Sequence, residues 1–144
     1  MTSGAQSDQQ AITGVLQTFT YLLSGLDDNL NSAWLPPLAA VTTERMAQAS
    51  TRQASAILNA HEHGVGRLIG RNVTVKMTGA TSAAVAECEN YADFYLVDDG
   101  TNSPDPGIVR GNFVGTAQLS KVAGRWYVDV YATTRTACDW AGAR

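Results

Sequence analysis

Near the start of the chain, apolar residues return at steps of three and four: Ile12, Val15, Leu16, Phe19, Leu22, Leu23 and Leu26. That spacing lays one stripe along a helix over about residues 8 to 26. Ser7 or Asp8 offers a side-chain acceptor to its first free amides, and Asp27, Asp28 and Asn29 end the run. In Trp34-Leu35-Pro36-Pro37-Leu38 the prolines forbid a continuous helix, so a short helical turn is expected there, with the tryptophan at the mouth of a pocket. A second long helix, over about residues 43 to 62, starts at Thr42 or Thr43 and stops at Gly64 and Gly66. It carries Met46, Ala47, Ala54, Ile57, Leu58 and His61 on one face.

Beyond Gly66 the period changes from 3.6 to 2. Val73, Val75 and Met77 alternate with polar residues, Gly79 to Ser82 turn the chain, and a second strand is expected from Ala83 to Val97. A polar hairpin loop runs from Asp98 to Gly107. The third strand is expected from about Val109 to Lys121, and Ala123-Gly124 makes a tight turn into a last strand, Arg125 to Thr136. Helices first and sequential strands afterwards define an α+β fold: two long helices and a short one packed on a strongly bent antiparallel sheet of about four strands. Residues 1–7 are read as a flexible N-terminus, 8–138 as one domain and 139–144 as a C-terminal tail.

Parity assigns the faces. In the last strand Trp126, Val128 and Val130 share one side, and Tyr127, Asp129, Tyr131 and Arg135 the other; in the second strand Ala84, Ala86 and Cys88 oppose Val85, Glu87, Glu89 and Asp93. The apolar side is expected to receive the helices. The other, with Glu89, Tyr127, Tyr131 and Arg135, is expected to be solvated or to pair with a second copy as a homodimer through the sheet.

Charge narrows the partners. Ten Lys and Arg stand against thirteen Asp and Glu in 144 residues, for a net charge of −3. The only lysines are Lys76 and Lys121, so there is no basic stripe for a phosphate backbone or an anionic membrane, and no nucleic-acid partner is expected. No apolar run approaches the roughly 20 residues a membrane-spanning helix needs. Residues 1–8 lack the basic and apolar regions of a signal peptide, so a membrane would be met only through a removed leader or anchor.

The order of helix, short helix, helix and bent antiparallel sheet resembles the nuclear-transport-factor-2-like superfamily, the cone fold shared with ketosteroid isomerase and polyketide cyclases. A narrower likeness rests on Val85-Ala86-Glu87-Cys88-Glu89-Asn90-Tyr91, a polar loop, Gly124-Arg125-Trp126-Tyr127-Val128 and the closing Ala137-Cys138. Those segments are similar to a group of exported actinobacterial proteins and lipoproteins of unassigned activity. The likeness implies a cone fold and an extracellular or cell-envelope location. With the even count and the parity of Cys88 and Cys138, it also implies a disulfide between them; two reduced, buried thiols are the alternative.

Catalytic chemistry is sparse. In the ketosteroid-isomerase branch a carboxylate base works beside a tyrosine and a protonated acid. Here Asp27, Asp28, Asp98, Asp99 and Asp105 read as turn residues, and Glu87, Glu89, Asp93 and Asp129 carry the outward parity, which a bulge would reverse for Asp93 and Tyr95 and so keep an enzyme reading open. No catalytic set, cofactor or metal site is assigned. His61 and His63, two apart on a helix, point to different sides, and Asp98 to Asn102 lacks the ligand pattern of a calcium loop. What the cone offers is a pocket, for which Tyr21, Trp34, Ile57, His61, Phe94 and Phe113 are the candidate walls. The expected function is exported binding of a small apolar ligand or a protein partner. The alternatives are an isomerase or cyclase, and a structural accessory domain of a cell-envelope complex.

Overall fold

The computed structural model describes residues 4–29, 32–104 and 110–140. Helix α1 spans Gly4–Asn29, a 3-10 turn spans Ser32–Trp34, and helices α2 and α3 span Leu35–Ala39 and Glu44–Asn59. The strands follow as β1 (Glu62–Val65), β2 (Gly70–Gly79), β3 (Ser82–Asn90), β4 (Tyr95–Asp98), β5 (Asn112–Val122) and β6 (Arg125–Ala137). A four-stranded antiparallel sheet runs in the order β2-β3-β5-β6, and β1 and β4 form a separate antiparallel pair. Three helices thus pack on a curved antiparallel sheet, the expected α+β cone.

The stripe of α1 supplies much of the core. Ile12, Leu16, Phe19, Leu22, Leu23 and Leu26 are buried against Ala83, Val85, Ala117, Leu119, Trp126 and Val128 from the inner face of the sheet. Each fully buried large side chain contributes about 1.5–3 kcal/mol, so this one face anchors the helix. Gly25 has a specific job in it. A Cβ there would lie 2.6 Å from the Trp34 indole, so only glycine lets Trp34 pack flat on α1.

Several boundaries differ from expectation, each for a local reason. Helix α1 begins at Gly4, well before residue 8; residues 1–3 of the expected flexible N-terminus and 141–144 of the tail lie outside the described residues, as do Asp105 and Val109. Helix α3 ends at Asn59, and His61 takes a left-handed conformation (φ 59°) that turns the chain into β1, a strand the glycines had masked. His63 therefore lies on a strand, with Nδ1 2.6 Å from Asp99 Oδ1. Thr43 stands at the N-cap of α3, but its hydroxyl goes to Asp129 Oδ1 (2.9 Å) instead of capping the helix. Leu58, expected on the buried face of α3, is 45% exposed.

The expected long second strand is broken. Asn90 Oδ1 accepts from the Ala92 amide at 3.1 Å, and its Nδ2 donates to Asp93, forming a side-chain turn that separates β3 from β4. The hairpin at Ala123-Gly124 has positive φ at both residues (50° and 80°), the geometry a two-residue connection requires.

Cys88 and Cys138 are bonded, with an Sγ–Sγ distance of 2.05 Å. The tail beyond the disulfide is held on two further strands: Cys138 N donates to Asn112 O on β5, Asn72 Nδ2 donates to Asp139 O from β2, and Arg71 lies 4.4 Å over the Trp140 ring.

Candidate functional site: a carboxyl and tyrosine cavity inside the cone

The site is built by an inversion of the expected strand parity. On β3 it is Ala83, Val85, Glu87 and Glu89 that face the helices, leaving Ala84 and Ala86 half-buried on the other side. Glu87 and Glu89, read as outward, are 2% and 0% exposed. Two glycines make this burial sterically feasible. A Cβ at Gly70 would lie 1.9 Å from Glu87 Oε1, and one at Gly115 would lie 2.3 Å from the Glu89 carboxyl.

A bulge on β6 completes the inversion. Leu119 pairs with Val128 and Gln118 with Val130, which leaves Asp129 as an extra residue. Thr43 and Arg45 bind its carboxyl and fix the bulge in place. Beyond it the alternation is reversed, so Val130 turns out (38% exposed) and Tyr131 turns in, edge-on to Phe19 at 5.0 Å between ring centres. The expected outer patch is therefore corrected: Glu89 and Tyr131 belong to the interior, while Tyr127 is half-buried and Arg135 exposed.

Inside, Tyr131 and Tyr91 both donate their hydroxyl protons to Glu89 Oε1, at 2.6 and 2.9 Å, and their oxygens are 3.3 Å apart. Both Glu87 oxygens and Glu89 Oε2 lack hydrogen-bond partners among the described residues. Burial first, and the neighbouring Glu89 second, push the Glu87 carboxyl far above its ordinary range, so it is a neutral acid at pH 7. Burial and Glu89 likewise raise the hydroxyls of Tyr91 and Tyr131, which stay protonated.

Tyr91 and Tyr131 also form part of the wall of a cavity of about 210 Å³ between α1, α3, β4 and β6. Asp27 shares that wall with Leu23 and Ile57, and Phe94, Tyr95 and Leu96 close it from the β4 side. Asp27 is no turn residue: it lies in the last turn of α1, is 7% exposed, and its Oδ1 has no partner among the described residues. Burial alone pushes its carboxyl up to about 7.

Of the expected walls, Ile57 and Phe94 stand on this cavity. Tyr21 is 46% exposed and meets Trp34 at 6.3 Å on the outside of α1, where Arg67 lies 5.2 Å over the Trp34 ring. His61 is exposed in the turn before β1, and Phe113 packs against Tyr91 at 6.3 Å without reaching the cavity. Among the polar and aromatic wall residues, sequence reasoning missed Asp27, Tyr91 and Tyr131. A polar residue at the end of an apolar helical stripe was the one local signal, and it pointed to Asp27. A wider depression of about 400 Å³ lies on the opposite face of the sheet, along Thr74, Lys76, Ala84, Ala86, Thr116 and Gln118; it is open and holds no cluster of titratable groups.

The architecture is that of the nuclear-transport-factor-2-like cone. No family profile matches the sequence, and no curated protein sequence matches it either. Solved structures do share the fold. A putative dehydratase from the NTF2-like family of Streptomyces avermitilis superposes with a TM-score of 0.59 at 13% identity, over 93% of this chain and 99% of that one. The intermembrane space region of the chloroplast protein ARC6 gives 0.58 at 16% identity, over 86% and 94%. CagV, a VirB8 homolog of the T4SS of Helicobacter pylori, gives 0.57 at 11% identity, over 87% and 97%. A protein described as a dehydratase, a region of a chloroplast protein and a homolog from a T4SS thus carry the same fold, and the fold alone does not choose between their roles.

Proposed function

We propose that this is an exported binding domain that takes a small, largely apolar molecule into the cone. The observation that carries the reading is the cavity itself, with apolar and aromatic walls and one buried carboxyl to orient a polar head. Its 210 Å³ falls below the about 300–1,000 Å³ of sites for drug-sized ligands, which favours a ligand with a single ring or a short chain. The disulfide supports an oxidising compartment, extracellular or within the cell envelope, as the actinobacterial lipoprotein likeness implies. The intermembrane space location given for the ARC6 region is compatible with it.

The isomerase or cyclase alternative gains one observation, since Asp27 near pH 7 has the basicity of a general base. The tyrosines weigh against it. An oxyanion needs donors aimed at it, and the hydroxyl protons of Tyr91 and Tyr131 are already given to Glu89. A homodimer through the outer face of the sheet would have Tyr127 and Arg135 available but neither Glu89 nor Tyr131.

Indole and 2-phenylethanol are suitable probes, scored by saturable perturbation of the protein's NMR spectrum. The Ile57→Trp variant, which places an indole in the cavity, is expected to abolish the response while the protein remains folded. Absence of saturable binding by either probe, or unchanged binding in the variant, would overturn the reading.

A further inference from the structure

The cavity is chemically one-sided. Among its wall residues there is no Lys, Arg or His, while Asp27 contributes a carboxyl and Tyr91, Phe94, Tyr95 and Tyr131 contribute four aromatic rings. The two tyrosines tied to Glu89 have spent their protons and can offer a ligand only lone pairs. Ser24 is likewise committed, donating to Tyr21 O at 2.7 Å and accepting from the Leu68 amide at 3.0 Å. The remaining hydroxyl and amide donors on the wall are Gln53, Tyr95 and Thr133, and Gln53 and Thr133 are exposed residues at the rim. A molecule that needs donors therefore finds few in the interior. One that brings donors and positive charge finds a buried carboxyl, phenolic lone pairs and aromatic faces, which attract cations through their quadrupoles.

We infer that the ligand is a small organic cation, an ammonium group with at least one N–H on an apolar or aromatic body, held between Asp27 and the rings of Tyr91, Phe94, Tyr95 and Tyr131. An N–H is required because a buried carboxyl oxygen without a partner costs free energy that only a donor recovers. A quaternary ammonium would satisfy the rings but not Asp27. One face of Tyr95 is already taken by Arg110, which lies 4.2 Å over the ring while donating to Ala92 O, so the ligand's charge falls to Asp27 and the rings of Tyr91, Phe94 and Tyr131, with Tyr95 serving as an aromatic wall.

This inference rests on the binding reading above, and a matched set of probes separates the two. With the full chain and its disulfide intact, isothermal titration at pH 8 compares 2-phenylethylamine, 2-phenylethanol and phenylacetate, which differ only in the polar head. The amine is expected to bind at least about tenfold tighter than the alcohol, with phenylacetate weakest. Asp27→Asn should remove the advantage of the amine while leaving the alcohol bound. Should that variant fail to fold, Phe94→Leu, which keeps an apolar wall but removes a ring, should narrow the same gap. Equal or tighter binding of the alcohol or phenylacetate would overturn the cation inference and leave the cavity reading standing. Failure of all three probes to bind would overturn both.

Discussion

Tyr131 donates its hydroxyl proton to Glu89 Oε1 at 2.6 Å, linking β6 to β3 across the intervening strand β5. The link depends on a single extra residue. Without Asp129 in the β6 bulge, Tyr131 would point out of the sheet and Glu89 would keep only the Tyr91 bond.

Removing the hydroxyl tests that dependence. Tyr131→Phe leaves the ring against Phe19 but takes one donor from a fully buried acceptor, which costs about 1–3 kcal/mol. Because Tyr91 still donates, the loss should fall in the lower half of that range. Urea denaturation of the variant against the parent gives the difference directly.

The glycine beneath Glu89 makes a sharper claim. A methyl group at position 115 would meet the Glu89 carboxyl at 2.3 Å, and Glu89 is fully buried. Gly115→Ala should therefore destabilise the fold by about 1–3 kcal/mol through overpacking. In a Glu89→Ala background the same change should cost little, giving a coupling of about 1 kcal/mol or more in a double-mutant cycle. Additive losses would mean that the glycine serves some other purpose.

These two positions also show what a sequence can and cannot display. Helix α1 was legible because Ile12, Leu16, Phe19 and Leu26 have one low-energy place to go, and their spacing names it. The disulfide was legible from two cysteines and a resemblance. The buried acids were not, because alternation fixes only which residues share a face. Alanines on one side and glutamates on the other chose the wrong face. What reverses the choice is nonlocal: Gly70 and Gly115 from neighbouring strands leave room, and Tyr91 and Tyr131 supply donors. Tyr131 does so only because Thr43 and Arg45, on the other side of the chain's path, hold the bulge at Asp129.

The disulfide joins residues 50 apart in sequence. In the chain-entropy account, closing a loop of that length stabilises the fold by about 4 kcal/mol. The double variant Cys88→Ser, Cys138→Ser should lose an amount of that order, and reduction of the parent should give a similar loss. The segment carrying Asp139 and Trp140 should exchange its amide hydrogens faster in both cases, since only noncovalent ties, among them the Asn72 hydrogen bond and the Arg71 ring contact, are then left to hold it. Unchanged stability on reduction would mean that those ties suffice without the covalent bond.

Asp27 gives the pH dependence a definite sign. Its carboxyl is raised by burial from 3.8 to about 7, so the folded state binds its proton more tightly than the unfolded state does. The corresponding stability is fully present below about pH 4 and is lost as pH rises, at up to about 1.4 kcal/mol per unit, until the folded carboxyl itself ionises near 7. The total is on the order of 4 kcal/mol. Asp27→Asn, which cannot ionise, should lack this part of the slope, so the difference between parent and variant should grow between pH 4 and 7 and level off above. Glu87, also raised, adds a slope of the same sign, but it does so in both proteins and cancels in the comparison. Chemical denaturation of the two proteins at half-unit intervals from pH 4 to 8 measures it, and parallel curves would show that Asp27 is not the buried acid the cavity is built around.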